Sequence, residues 1–401
     1  MLWSVLRFQA IKRCLISFVM GTGFVCSAAA VEIQVGIINI EYPILAPISR
    51  FDRHPDDLGF AGAELGNEDN QTTGSFLGHQ FAIERVSTNP DNMVADIGTL
   101  TGKGIRLLAV LGNGNDVAKA ADAAGSDVLV FNASAPDNAL RDEACRANLL
   151  HVAPSRAMLA DAITQFLIWK KWKRWFLIEG SNPADKLLGD SYRHSARKFG
   201  AEIVEERTFE DTGGSRRADS GHVLVQRKIP VFTQDAADHD VIVAADESDV
   251  FALYLPFHAW DPRPVAGSGG LRPVNFSATS EAWGATQFQR RFEKLTDRYI
   301  RPQDYNAWLA MRVIGEAVTR TGSNDPAKLK TYILSDAFEL AAFKGQKVTF
   351  RPWNGQMRQP VLLTDSKVTV SVSPQEGYLH QRSPLDTLGL DKPETSCTAF
   401  D

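Results

Sequence analysis

Continuous apolar runs alternate with helix-like stretches along most of this chain, and that alternation restricts the fold more than any other feature. Residues 33–40, 105–111 and 128–131 are apolar almost throughout and read as strands buried on both faces. Between and beside them, 56–70, 90–100 and 117–124 read as helices and 80–85 as a further strand. Buried strands separated by helices predict an α/β fold, with a parallel sheet covered on both faces.

The pattern then restarts. Residues 155–172 read as a long helix with Ser155 as N-cap, 175–178 as a strand, and 184–199 as a helix closed by Gly200. Strands are expected at 203–209, 241–245 and 265–267, with a helix at 249–257. The segment 151–155 therefore reads as a crossover between two α/β lobes. Helices at 304–320 and 326–334 and strands at 348–350, 361–364 and 368–372 follow, and the polar stretch 211–221 reads as a long loop. No repeat of 20–50 residues is present.

The first 30 residues have the layout of a secretory signal peptide. Arg7, Lys12 and Arg13 form a positive region, residues 15–25 a short apolar run, and Ser27-Ala28-Ala29-Ala30 a small-residue cleavage site. Cys26 follows Phe24-Val25, which lacks the small residues that lipid attachment requires. A mature chain starting at Ala30 or Val31 is expected in the periplasm, with about 370 of the 401 residues, enough for two domains. The net charge of −5 argues against a nucleic-acid or anionic-membrane surface. Of the four cysteines, Cys145 and Cys397 remain after cleavage, and an oxidising compartment points to a disulfide between them.

Catalytic signatures are missing. No two of the eight histidines lie three or four apart, and no C-x-x-C or G-x-S-x-G occurs, so neither zinc nor a hydrolase elbow is expected. Gly112-x-Gly114 lacks the third glycine of a dinucleotide fingerprint. No catalytic residue, catalytic cofactor or metal is expected. Three other features read as structural. The basic–aromatic run 169–175 reads as a helix end, Arg216 and Arg217 as a solvated loop, and the sequon Asn70-Gln71-Thr72 as a bare loop.

Six loops at strand carboxyl ends carry what chemistry there is: 39–53, 113–116 and 132–137 in the first lobe, 180–184, 246–248 and 268–272 in the second. Ligands of open α/β sheets sit at such ends, against free helix N-termini. Rich in Asn, Ser, Gly and Asp, these loops read as built to hold a ligand. Asn113, Asn115, Asp116, Ala133, Ser134, Ala135, Asn182, Asp246 and Glu247 are the candidates there.

Two Rossmann-like lobes behind an export signal resemble a type I periplasmic binding protein, the solute receptor of an ABC importer. Gly59-Phe60-Ala61-Gly62-Ala63-Glu64-Leu65 resembles a helix of the branched-chain amino-acid (Leu/Ile/Val) receptor group, and 105–136 and 153–180 resemble its pocket loops and lobe crossover. The runs 209–222, 341–346 and 371–377 resemble the subgroup associated with alcohol dehydrogenase systems that depend on pyrroloquinoline quinone (PQQ). The resemblance implies PQQ or a related solute as ligand, a membrane permease as partner, and a link to a quinoprotein dehydrogenase. The alternatives are an amino-acid receptor and a periplasmic enzyme or maturation partner of such a dehydrogenase.

PQQ is a flat aromatic tricarboxylate, so its receptor needs cations, N–H donors and an aromatic face. Arg50, Arg53, Arg156, Arg272 and Lys344 are the candidate cations and Trp283 the stacking partner, with the amides of 113–116 and 133–135 as further donors. The expected division is a first lobe of 31–152 plus 276–343, a second of 153–275 plus 344–380, and a tail of 381–401. The crossings are expected near 152, 275–279 and 343–345.

Overall fold

The computed structural model describes residues 31–44, 47, 53–212, 219–365 and 367–401. The signal peptide, Arg50, Arg216 and Arg217 lie outside the described residues. The first lobe runs β1 (Glu32–Ile40), α1 (Phe60–Leu77), β2 (Gln80–Thr88), α2 (Met93–Gly102), β3 (Leu107–Leu111), α3 (Gly114–Ala124), β4 (Leu129–Asn132) and β5 (Leu149–His151). Its five strands pair in the order β2-β1-β3-β4-β5, all parallel. All five residues of β3 are buried, as a strand sandwiched between helix layers must be.

The second lobe runs α4 (Arg156–Trp169), β6 (Arg174–Gly180), α5 (Pro183–Phe199), β7 (Glu202–Phe209), α6 (Asp219–Thr233), β8 (Val241–Ala245), α7 (Leu255–His258) and β9 (Val265–Gly267). Its parallel sheet has the order β7-β6-β8-β9. Ser155 caps α4 by accepting from the Met158 N–H at 3.1 Å, and Gly200 ends α5 in the left-handed region at φ 78°.

After β10 (Arg272–Val274) the chain returns to the first lobe with α8 (Ala285–Thr296), α9 (Pro302–Thr321) and α10 (Pro326–Ile333), whose apolar faces join the β1–β5 core. Helix α9 lies so close to α1 that a Cβ on Gly62 would come within 1.9 Å of the Asp304 carbonyl oxygen. That contact requires glycine.

Next come β11 (Leu340–Ala341), β12 (Lys347–Phe350), β13 (Met357–Arg358), β14 (Val361–Thr364) and β15 (Thr369–Ser373). Strands β10 and β15 flank β14 in an antiparallel sheet that joins the lobes. The third passage between the lobe cores runs through β14, not near 343–345. Val348, Phe350 and Met357 pack in the first-lobe core, so 344–358 belongs there, whereas along β14 Leu362 packs in the first-lobe core and Val361 and Leu363 in the second.

Other expectations are corrected as well. The helix expected at 249–257 is shorter, a 3-10 turn at Ala252–Tyr254 running into the four-residue α7, and α6 begins at Asp219, inside the segment read as loop. Asn70 lies within α1, 2% exposed, donating to the Met311 carbonyl at 2.7 Å, so the sequon is neither a loop nor accessible. The run 169–175 is a helix end: α4 stops at Trp169, Lys170 sits 4.8 Å over that indole, and Trp175 is buried in β6.

Cys145 and Cys397 are disulfide-bonded. The tail therefore returns to the first lobe while Leu388 packs in the second-lobe core. No described helix is long and apolar enough to cross a membrane.

Candidate functional site

A cavity of about 400 Å³ lies between the lobes, where strand carboxyl ends of both sheets face each other. The first lobe contributes Ser134 and Pro136 after β4, Ala153 and Pro154 after β5, and Gln303 and Asn306 from α9. The second contributes Asp246, Glu247 and Asp249 after β8, Gly267 and Ser268 after β9, and Leu188 and Tyr192 from α5. Leu159 of α4 and Arg272 and Val274 of β10 complete the wall.

Arg156 holds the two lobes together. It is 5% exposed, donates from Nε and Nη2 to the two Glu247 carboxylate oxygens at 2.6 and 2.7 Å, and places Nη1 3.0 Å from Asp137 Oδ1 of the first lobe. Burial disfavours its charge, but Glu247 and Asp137 outweigh that and raise its pKa above the ordinary arginine value. Its fork is thus committed to protein carboxylates. Asn138 adds a second tie across the lobes, donating to Ser191 Oγ of α5 at 3.1 Å.

Asp246 builds the floor of the cavity. Its carboxylate accepts the N–H groups of Val250, Phe251 and Ala252 at 2.8, 2.7 and 2.7 Å, which folds the turn before α7. Burial wins over these bonds and pushes its pKa up to about 6. A carboxyl raised in the folded state contributes stability below its unfolded pKa and loses it as pH rises through the folded value. We expect the stability of wild type relative to Asp246→Asn to fall by on the order of 3 kcal/mol between about pH 4 and pH 6. Chemical unfolding at a series of pH values reads this directly, and a constant difference would refute it.

Five of the seven predicted N–H donors of the first lobe, those of 113, 116 and 133–135, already have partners. Gly112 donates to Ser134 Oγ at 2.6 Å, Asn113 to the Tyr42 hydroxyl at 3.0 Å, and Asp116 to Asn113 Oδ1 at 3.0 Å. The Asp116 carboxylate accepts the Tyr42 hydroxyl at 2.8 Å, and Asn115 is exposed on α3. Ala133 donates to the Val110 carbonyl, and Ser134 and Ala135 both donate to Asn132 Oδ1. Asp137 packs against the first residue of α3, where a Cβ on Gly114 would lie 2.4 Å from its carboxylate carbon. None of Asn113, Asn115, Asp116, Ala133 or Ala135 lines the cavity.

The remaining candidates scatter. Asn182 N-caps α5 in a reciprocal box with Asp185 and does not line the cavity. Arg53 lies in a neighbouring groove, its carbonyl accepting from Arg301. Lys344 is 1% exposed at the hinge, donating to Asn275 Oδ1, Gln359 Oε1 and the Pro360 carbonyl. Burial pulls its pKa well below the ordinary lysine value. Trp283 is outside the cleft, its indole over Gly345. Of the named candidates the cavity gathers Ser134, Arg156, Asp246, Glu247 and Arg272. Sequence reasoning passed over Leu188 and Tyr192, although their spacing of four residues puts both on one face of α5.

Two parallel sheets of like strand order, joined by three crossings and with a cleft at their facing strand ends, decide the architecture. The fold is that of the type I periplasmic binding proteins. Residues 59–219 match the family model described as periplasmic binding protein.

Among solved structures, a branched chain amino acid ABC transporter periplasmic ligand-binding protein from Burkholderia xenovorans is 15% identical. It covers 92% of this chain and 100% of its own, with a TM-score of 0.70. A periplasmic binding protein from Burkholderia mallei is 14% identical over 92% of this chain and 99% of its own, with a TM-score of 0.66. The branched-chain amino acid transporter substrate binding protein of Streptococcus pneumoniae, in complex with isoleucine, is 14% identical. It covers 85% of this chain and 98% of its own, with a TM-score of 0.62. No curated protein sequence matches this chain significantly.

Proposed function

We propose that this protein is the solute-binding component of an ABC import system in the periplasm, taking one small molecule between its lobes and presenting it to a membrane permease. The observation that carries the reading is the cavity itself. It is lined from both lobes at the carboxyl ends of both parallel sheets, and its volume of about 400 Å³ suits a small solute. Its serines support binding more than chemistry. Ser134 Oγ bonds the Gly112 backbone and Ser268 Oγ accepts the Asp246 N–H, so neither is set up as a nucleophile.

An amino-acid-sized solute suits the cleft better than PQQ. Fold relatives are described as branched-chain amino acid receptors. A tricarboxylate would meet one cation already paired twice, Arg156, and one other, Arg272. Neither PQQ as ligand nor a quinoprotein dehydrogenase as partner has support from the relatives.

A thermal-shift screen of amino acids, organic acids and quinones on ligand-stripped protein tests the reading. A true ligand at 100 times its Kd adds about 2.7 kcal/mol of stability. Stabilisation by one small-solute class is expected, and an unmoved transition across the whole screen would overturn the proposal.

A further inference from the structure

The charges lining the cleft are unequally committed, and that inequality selects a ligand. On the anionic side, both Glu247 oxygens hold Arg156 and both Asp246 oxygens accept backbone N–H groups. Asp249 has a partner of its own. The nearby carbonyls are bonded as well: Pro136 O accepts the Arg156 N–H, Ala153 O accepts from Arg141 at 2.9 Å, and Ala133 O accepts from Asn306 at 2.9 Å. An ammonium group entering this cavity would lose its water and meet no carboxylate without a partner, only neutral acceptors such as the Gln303 amide and the Tyr192 hydroxyl.

On the cationic side, Arg272 differs from Arg156. It is half-buried on β10 at the cavity wall, and its guanidinium makes no hydrogen bond or ion pair among the described residues. Asp365 senses its charge only through space. The other natural seat for an anion in this cleft, the N-terminus of α3, already faces a carboxylate. Asp137 packs on Gly114 there, and the amides of Gly112, Asn113 and Asp116 are bonded internally. Leu159, Leu188, Tyr192 and Val274 supply an apolar wall beside Arg272.

Resting on the solute-binding reading above, we propose that the cleft selects a monoanionic solute with an apolar body, a carboxylate without an amino group, and that Arg272 is the residue that pairs with its anionic end. The planar guanidinium takes such a carboxylate in a two-bond fork, and no compensating ammonium site is needed.

The test uses a matched set of probes on the ligand-stripped mature chain, titrated by calorimetry: 4-methylpentanoate, L-leucine and 3-methylbutylamine. The first and last are leucine without its amino group and without its carboxylate. The expected order is 4-methylpentanoate tightest, leucine at least about 10-fold weaker, and no binding of the amine. Arg272→Gln should weaken 4-methylpentanoate by about 10–100-fold at an unchanged unfolding midpoint, and Arg272→Lys should recover part of it. Should Arg272→Gln fail to fold, the wild-type ranking decides alone. Leucine or the amine binding as tightly as the acid, or Arg272→Gln leaving affinity unchanged, would overturn the inference and leave the solute-binding reading standing. If none of the three binds while another solute in the broad screen does, the inference alone fails; silence across the broad screen overturns both.

Discussion

Replacing Asp386 with alanine is expected to destabilise the protein by about 3–5 kcal/mol, because it strands two buried guanidinium groups. Asp386 is 1% exposed and accepts from Arg351 Nε at 2.8 Å and from Arg358 Nε at 2.8 and 2.9 Å. Arg351 also donates to the carbonyls of Leu385, Leu388 and Leu390, so one side chain fastens the C-terminal segment in place. Burial lowers the Arg351 pKa, and the Asp386 charge works against that. With the carboxylate gone, the two desolvated cations keep only carbonyl and hydroxyl acceptors in direct contact, with Asp391 acting on Arg351 through space. Denaturant unfolding of Asp386→Ala measures the loss, and a change below about 1 kcal/mol would show that water or a neighbouring acid replaces the carboxylate.

Breaking the Cys145–Cys397 bond by Cys397→Ser should cost about 2–5 kcal/mol. The bond spans 252 positions, so it removes a large share of the unfolded chain's freedom. Local contacts soften the loss: Thr395 Oγ1 donates to the Arg141 carbonyl at 2.8 Å, and Ser396 donates from its backbone N–H to Asp142 Oδ1 at 2.5 Å. The unfolding midpoint of wild type should fall under reducing conditions to that of the variant. Equal midpoints with and without reductant would mean that these contacts alone hold the tail.

How far the sequence can be read depends on the length scale of the interaction. Strand β3 is legible because burial on both faces writes itself as an unbroken apolar run. Ser155 and Gly200 are legible because caps are local. Helix α8 went unread although Phe288 and Phe292 repeat at helical spacing with Ala285 on the same buried face. Helix α6 carries Pro230 in its interior, which argues locally against a helix.

The third crossing was misplaced for a different reason. Val348 and Phe350 show the same alternation whichever lobe they join, and only the packing of β14, Leu362 into one core and Val361 and Leu363 into the other, reveals the passage. The site divides the same way. Loops at strand ends point to Asp246, Glu247 and Arg272, but which charges are already paired depends on contacts such as Arg156 with Glu247, 91 residues apart. Lys344 reads as a free cation until Asn275, Gln359 and Pro360 converge on it. Trp283 reads as a stacking residue until Gly345 is seen beneath it.

Native mass spectrometry of the mature chain after incubation with a pool of small solutes, beside a Leu159→Trp variant, tests most directly that one solute sits between the lobes. Leu159 is half-buried at the cavity wall, beside the second-lobe core, so an indole there takes up cavity space. The expected result is a single adduct of one small molecule per wild-type chain, absent from the variant at an unchanged unfolding midpoint. A chain that stays bare, or an adduct that persists equally in the filled cleft, would contradict the account.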